Sequence, residues 1–334
     1  MKRALLVTFA AAAATAGPVH AAEIKVSTWG PPSLQQNSDV IPGWTACLKE
    51  ASKGAVTTKV QYNLGPPPAQ FQLVRKGISD VGWSLHGYNA GRFVSTKIAE
   101  LPGTTGGAEA VSVAHWRTHE KYLSALDEHR GVKLIGLFVH GAAVLMTNRK
   151  VTDLSQVKGM KLRLPGGVAT QIFSKLGAVP VKVPGTKVYE VLSARVADGV
   201  TMEYSGVKSF KLDEVVKFAL EMPRGFYYGS FGIVMNTRKY ASLDKTGKAA
   251  VDACSGETLS RLSGRVWERF FVTGKEYARK DMTIDVADAK MQGQFAPIAK
   301  AVVDEWVKEA EGKGLKNARE ALDYMREQAR TYKK

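Results

Sequence analysis

Hydrophobic and polar positions alternate from Glu23 to Trp29, the period of a strand with one covered face, and Gly30-Pro31-Pro32 ends the run. From about Ser38 to Ser52 the apolar positions change to helical spacing, and Gly54 stands where helices stop. Thr57 to Tyr62 reads as a second strand, Gln70 to Lys76 as a short helix and Asp80 to Ser84 as a third strand. Such alternation predicts a parallel sheet with helices on its faces. A glycine-rich loop from His86 to Leu101, a helix over about Ala108 to Glu128 and a β-forming run over Val132 to Val139 complete a first set.

The pattern then restarts, which puts a second α/β domain from near His140 onward. Its strands are expected at Leu145 to Asn148, Lys161 to Leu164 and Val179 to Val181, with helices over Val168 to Leu176 and Thr186 to Arg195. Gly232 to Asn236 reads as a strand, followed by a long helical stretch from about Leu243 to Lys280, a length that commonly ties domains together. Two amphipathic helices, about Met291 to Ala310 and Leu315 to Tyr332, close the chain. Within the run GMKLRLPGG, Met160, Leu162 and Leu164 share one face while Lys161 and Arg163 share the other. Arg163 therefore points away from the apolar face, at the carboxyl end of its strand, where open α/β sheets present groups to ligands.

The first residues change the picture of where the chain works. Lys2 and Arg3 lead into an apolar stretch from Ala4 to Ala16, and Val19-His20-Ala21 fits a processing site, so residues 1–21 read as a signal peptide cleaved near Ala21. The apolar stretch is too short to span a bilayer, so the expected product is an exported, periplasmic chain of about 313 residues, enough for two domains. Cys47 and Cys254 lie far apart, and in an oxidising compartment they are either one bridge or two buried thiols. The formal net charge of +16 becomes +14 without the leader, and its lysines and arginines are spread without a run. Export argues against nucleic acid as partner, which leaves a solvated basic surface or a field that draws in small anions.

No catalytic constellation stands out, and neither a cofactor nor a metal is expected. His115 and His119 are four apart on a predicted helix but lack the companion glutamate of zinc proteases, and a charged, solvent-facing helix face accounts for them. Ser205-Gly206-Val207-Lys208 has a serine-x-x-lysine spacing without its companion motifs. Trp29, Tyr88, Tyr204 and Tyr227, in contrast, all stand where strands pass into loops. A cleft with one fixed cation and several rings suits a small organic anion. Arginine is the right cation for it, because its planar fork gives two parallel hydrogen bonds to a carboxylate. The competing reading of Arg163 is a structural ion pair.

Five segments, SDVGWSLHGYNAGRF from Ser79, VHGAAVLMTNRKVTDLSQVKGMKLRLPGG from Val139, LGAVPVKVPGTKVYEVLSARVADGV from Leu176, FKLDEVVKF from Phe210 and FYYGSFGIVMN from Phe226, occur in an order and spacing that resembles a known family. It is that of the extracytoplasmic solute-binding subunits of tripartite ATP-independent periplasmic (TRAP) transporters, the DctP-like family. The resemblance implies a two-domain periplasmic binding protein-like fold, each domain a mixed sheet flanked by helices, with crossing strands and a long hinge-bracing helix. The expected division is residues 22–140 plus about 235–270 for one domain, and about 141–234 plus 271–334 for the other. By resemblance Arg163 binds a ligand carboxylate in the interdomain cleft, with Trp29, Tyr88, His140, Tyr204 and Tyr227 around it. Ala143, Met202 and Gly185 depart from the positions that sialic-acid-binding members use, so a sialic acid is not expected, and no metal is placed at Glu203-Tyr204. The implied function is a receptor, not an enzyme, acting as a monomer that delivers a small carboxylate, an aromatic or apolar monocarboxylate by preference, to membrane permease subunits. The alternatives are a binding protein of an ATP-driven importer and a secreted enzyme.

Overall fold

The structure, a computed structural model, describes residues 21–333, so all of the expected signal peptide but Ala21 lies outside the described residues. In chain order the strands are β1 (Ala22–Thr28), β2 (Val56–Tyr62), β3 (Val81–Leu85), β4 (Lys133–Val139), β5 (Val144–Thr147), β6 (Lys161–Leu164), β7 (Val179–Lys182), β8 (Gly199–Met202), β9 (Phe218–Glu221), β10 (Ser230–Met235) and β11 (Thr283–Val286). The α-helices are α1 (Ile41–Ala51), α2 (Gln70–Lys76), α3 (Ala108–Thr118), α4 (Gly167–Lys175), α5 (Val188–Ser193), α6 (Ser205–Ser209), α7 (Thr237–Ser242), α8 (Lys245–Ala253), α9 (Glu257–Ala278), α10 (Ala289–Gly312) and α11 (Ala318–Arg330).

Two mixed sheets form, in the orders β2-β1-β3-β10-β4 and β11-β9-β5-β8-β6-β7. The expected strand-helix-strand units supply the parallel pairs β1 with β2 and β3 in one sheet and β6 with β7 and β8 in the other, and β11 adds a further parallel pair with β9. Each sheet also takes an antiparallel strand from a crossing connection: β10 lies between β3 and β4, and β5 between β8 and β9. Strands β8, β9 and β11, four residues each, are not among the strands the sequence pattern predicts. Pro180 lies in β7, an outer strand of its sheet, where a missing N–H costs no ladder bond on the open side.

The two connections between the sheets run side by side. Residues 140–143 lead from β4 to β5 and residues 222–229 return from β9 to β10; they pair through Ala143 N–H to Tyr227 O (2.9 Å) and Phe226 N–H to Ala143 O (3.3 Å). The return strand enters the first sheet at Ser230, a few residues before the expected boundary. The long helical stretch expected over 243–280 is two helices: Asp244 caps α8 by accepting from Gly247 N–H (2.6 Å), and Gly256, with φ of 66°, breaks the chain before α9. Helix α9 packs on α3 and β4 at its start and on α6 towards its end, and so braces both lobes. The close approach is steric in origin, since a Cβ on Gly274 would stand 2.5 Å from the Tyr204 carbonyl oxygen.

Helix α10 bridges the lobes, with Trp306 Nε1–H donating to Val94 O (2.9 Å) and Gln294 accepting from Leu154 N–H (3.0 Å), whereas α11 packs on α3 behind the first sheet. Its apolar face is as regular as the sequence implied; which lobe it covers depends on where α10 delivers it. Of the two readings for the cysteines, the bridge is the one formed: Cys47 and Cys254 join α1 to the end of α8 across 207 residues. Among the described residues no helix is long and apolar enough to cross a membrane.

Candidate functional site

The carboxyl ends of β1, β3, β6 and β8 meet the crossing strands around a cavity of about 50 Å³. Arg163, Trp29, Tyr88, His140 and Tyr227 line it, so five of the six sequence candidates come together from both lobes and the crossing strands. Phe210, Phe231 and Trp267 complete an aromatic wall, with Leu34, Leu85 and Met202 beside them. None of these three rings is a sequence candidate; Trp267, in the middle of α9, carries no local signal of a cavity.

Arg163 is only 2% exposed. Alternation put it on the face opposite Leu162 and Leu164, but that face is not solvent: its neighbours in register are Val181 and Val200, and helices cover both sides of the sheet. Its Nε–H donates to the Val183 carbonyl (2.9 Å), while Nη2 is buried with no partner. No carboxylate pairs with it among the described residues, which removes the structural ion-pair reading. A buried donor left without an acceptor costs free energy that an incoming anion recovers.

The rings are fixed by their polar atoms. Trp29 stacks on Trp83 (centroids 4.1 Å apart) and donates to the Trp83 carbonyl (3.1 Å). Tyr227 shares a hydroxyl hydrogen bond with Thr201 Oγ1 (3.0 Å), and burial pushes its phenol well above the usual range. Tyr88 accepts at its hydroxyl from Gly185 N–H (2.9 Å), one lobe reaching the other. His140 Nδ1 donates to Gly141 O (2.5 Å); the Gly229 amide also approaches Nδ1 (3.3 Å), but one nitrogen cannot do both, and the shorter contact fixes the tautomer. Burial, and secondarily Arg163, lowers His140 to about 4, so the ring is neutral at ordinary pH.

Tyr204 stands apart from the cavity lining. Its ring packs on Phe271 (5.5 Å), and its hydroxyl donates to Glu221 (2.7 Å), which also pairs with Lys275 (2.6 Å). The acidic neighbour Glu203 lines the cavity instead, and burial pushes its carboxyl up to about 7.

Further contacts close the cleft outside the cavity. Glu100, from the first lobe, accepts at Oε2 from Val168 N–H (2.9 Å) at the start of α4, and burial raises its carboxyl to about 7. Gly166 and Gly167 have φ of 101° and 55°, and a Cβ on Gly166 would come within 2.2 Å of the Gly87 carbonyl oxygen. Glycine is required here both by the left-handed backbone and by the approach of the other lobe.

The expected solvent-facing pair His115 and His119 is not on a charged face. His115 is fully buried, because α3 is sandwiched between α9, α11 and β4, and His119 lies against Trp116 and His129. Among the described residues no three His, Cys, Asp or Glu side chains are grouped to hold a metal ion.

Known proteins share this architecture. A TRAP periplasmic solute-binding protein from Bordetella bronchiseptica, with bound (R)-mandelate and (S)-mandelate, superposes with a TM-score of 0.89 at 32% identity over 92% of this chain and 98% of that one. A TRAP solute-binding protein from Rhodoferax ferrireducens, in complex with copurified benzoate, gives 0.86 at 28% identity over 92% and 97% of the two chains. In sequence, the outer membrane transporter protein TsaT of Comamonas testosteroni is 26% identical over 293 residues, 87% of this chain and 86% of the relative. The model of bacterial extracellular solute-binding protein family 7, DctP, matches residues 27–309, and with these likenesses the chain belongs to that family, a solute-binding protein of the TRAP type and not an enzyme.

Proposed function

We propose that the chain is the periplasmic receptor of a TRAP transporter for an aromatic monocarboxylate, released from its leader near Ala21 and acting as a monomer that hands its ligand to membrane permease subunits. Arg163 pairs with the carboxylate, while Trp29, Tyr88, Tyr227 and the other rings enclose the body of the ligand. The observation that carries this reading is the guanidinium lining an aromatic cavity with Nη2 unpartnered. The relatives with mandelate and benzoate bound support the same ligand class. Ligand contacts with both lobes favour the closed form, since a ligand shifts the equilibrium by its differential affinity for the two states.

Calorimetry with benzoate and mandelate tests the proposal. Arg163→Ala is expected to lose at least about tenfold in affinity, the loss of a charge-assisted pair. Equal binding by the variant and the parent would overturn the assignment.

A further inference from the structure

The carboxylate reading leaves the acidic group of the cavity unused. Glu203 lines it, is 2% exposed and stands one residue beyond the end of β8. Arg163 of β6 is in register with Val200 of the parallel β8, so the Glu203 backbone lies three residues further on, about 10 Å at 3.3 Å per residue. The two side chains therefore spring from backbone points roughly 10 Å apart along the strands, a separation that suits groups for different ends of a small ligand.

Glu203 is also held in place before any ligand arrives. Its Oε2 accepts from Ser205 N–H (2.6 Å) and its Oε1 from Ser205 Oγ–H (2.5 Å), while Ser205 Oγ accepts from Gln35 Nε2 (2.5 Å) of the first lobe. Each carboxyl oxygen has two lone pairs, so the carboxyl keeps acceptor capacity after these bonds. Phe210, Trp267, Met202 and Leu34 share the cavity lining with it and make no hydrogen bond to it.

We propose that Glu203 sets specificity: among aromatic monocarboxylates it selects those bearing a hydroxyl remote from the carboxylate, and it rejects dicarboxylates. The inference rests on the carboxylate reading of Arg163. A hydroxyl matches the group in either protonation state, donating to the carboxylate or accepting from the carboxyl. An unsubstituted ring sets apolar atoms against the acceptor capacity that Ser205 leaves free. A second ligand carboxylate sets two like charges together away from water, the arrangement that neither ionises nor binds well.

The test is calorimetry on the mature chain with benzoate, its three monohydroxy isomers, isophthalate and terephthalate. The expected result is that the best hydroxybenzoate binds at least about tenfold tighter than benzoate, with both dicarboxylates weaker than benzoate. Glu203→Met is expected to erase the hydroxyl preference, read as the ratio of hydroxybenzoate to benzoate affinity in the same variant, and Glu203→Gln to bring the dicarboxylates at least about fivefold closer to benzoate. Benzoate binding with no hydroxyl preference, or a preference unchanged in Glu203→Met, overturns the role of Glu203 alone. Benzoate binding equally well to Arg163→Ala, or no acid binding at all, overturns the underlying reading. The wild-type series is decisive without the variants, so a substitution that fails to fold does not shelter the proposal.

Discussion

At the residue scale the site is defined by how polar atoms are satisfied. Nη2 of Arg163 has no partner, whereas the hydroxyls of Tyr88 and Tyr227 and the indole N–H groups of Trp29 and Trp267 all have one, Tyr88 as acceptor and the indoles as donors. The rings are thus available as surface and the guanidinium as a partner. Tyr204 makes the contrast concrete, because its hydroxyl is spent on Glu221 outside the cavity lining. Tyr204→Phe is expected to keep benzoate affinity within about twofold and to lower stability by about 1 kcal/mol, the net worth of one hydrogen bond. Paired titration calorimetry and denaturant unfolding check this, and a tenfold affinity loss would place the ring in the site after all.

At the element scale, closure is carried by backbone fit. The Gly166-Gly167 turn that opens α4 lies against Gly87 of the other lobe, and Glu100 accepts from the first turn of the same helix. A helix N-terminus favours an acceptor there, through its free N–H groups and its partial positive charge. Gly166→Ala would both strain a φ of 101° and insert a methyl group 2.2 Å from the Gly87 oxygen. We expect the variant to stay open and to lose at least about tenfold in affinity for benzoate. Small-angle scattering with and without ligand reads the closure directly, and a variant that compacts like the parent would show that this contact is not needed.

For the whole molecule, two sets of buried titratable groups oppose each other. Burial lowers His86, His115, His119, His129 and His140, the first and fourth well below the usual value and the others to about 4, 3 and 4 for His119, His115 and His140 in turn. The unfolded chain binds more protons at these five positions once pH falls below about 6.5, so their contribution to stability is lost on acidification. Glu100 and Glu203 run the other way: with carboxyls raised to about 7 they take up protons in the folded state, which favours folding as pH falls from 7 towards 4.5. Five groups against two decides the sign, so the thermal midpoint is expected to drop between pH 6.5 and 4.5. Scanning fluorimetry across that range checks it, and a midpoint that rises would mean that the carboxyls dominate.

Much of this was legible in the residues. The periods of 2 and 3.6 marked the longer strands and helices, because a face must be apolar to be covered whatever covers it. The strand-end position of Arg163 and of the rings followed from the same alternation and from Pro165-Gly166-Gly167. Strands β8 and β9 were not legible, since each is stabilised by a neighbour distant in sequence, β5, rather than by a local pattern. Nor were the burial of His115, the lobe that α11 covers, the aromatic wall from Phe210, Phe231 and Trp267, or the exclusion of Tyr204 in favour of Glu203. By itself the sequence determined which faces are apolar and which residues end strands, because these are local properties. Only the tertiary structure decided which of those residues share a cavity and which polar atoms find partners, because that depends on how two lobes, their crossing strands and α9 meet in space.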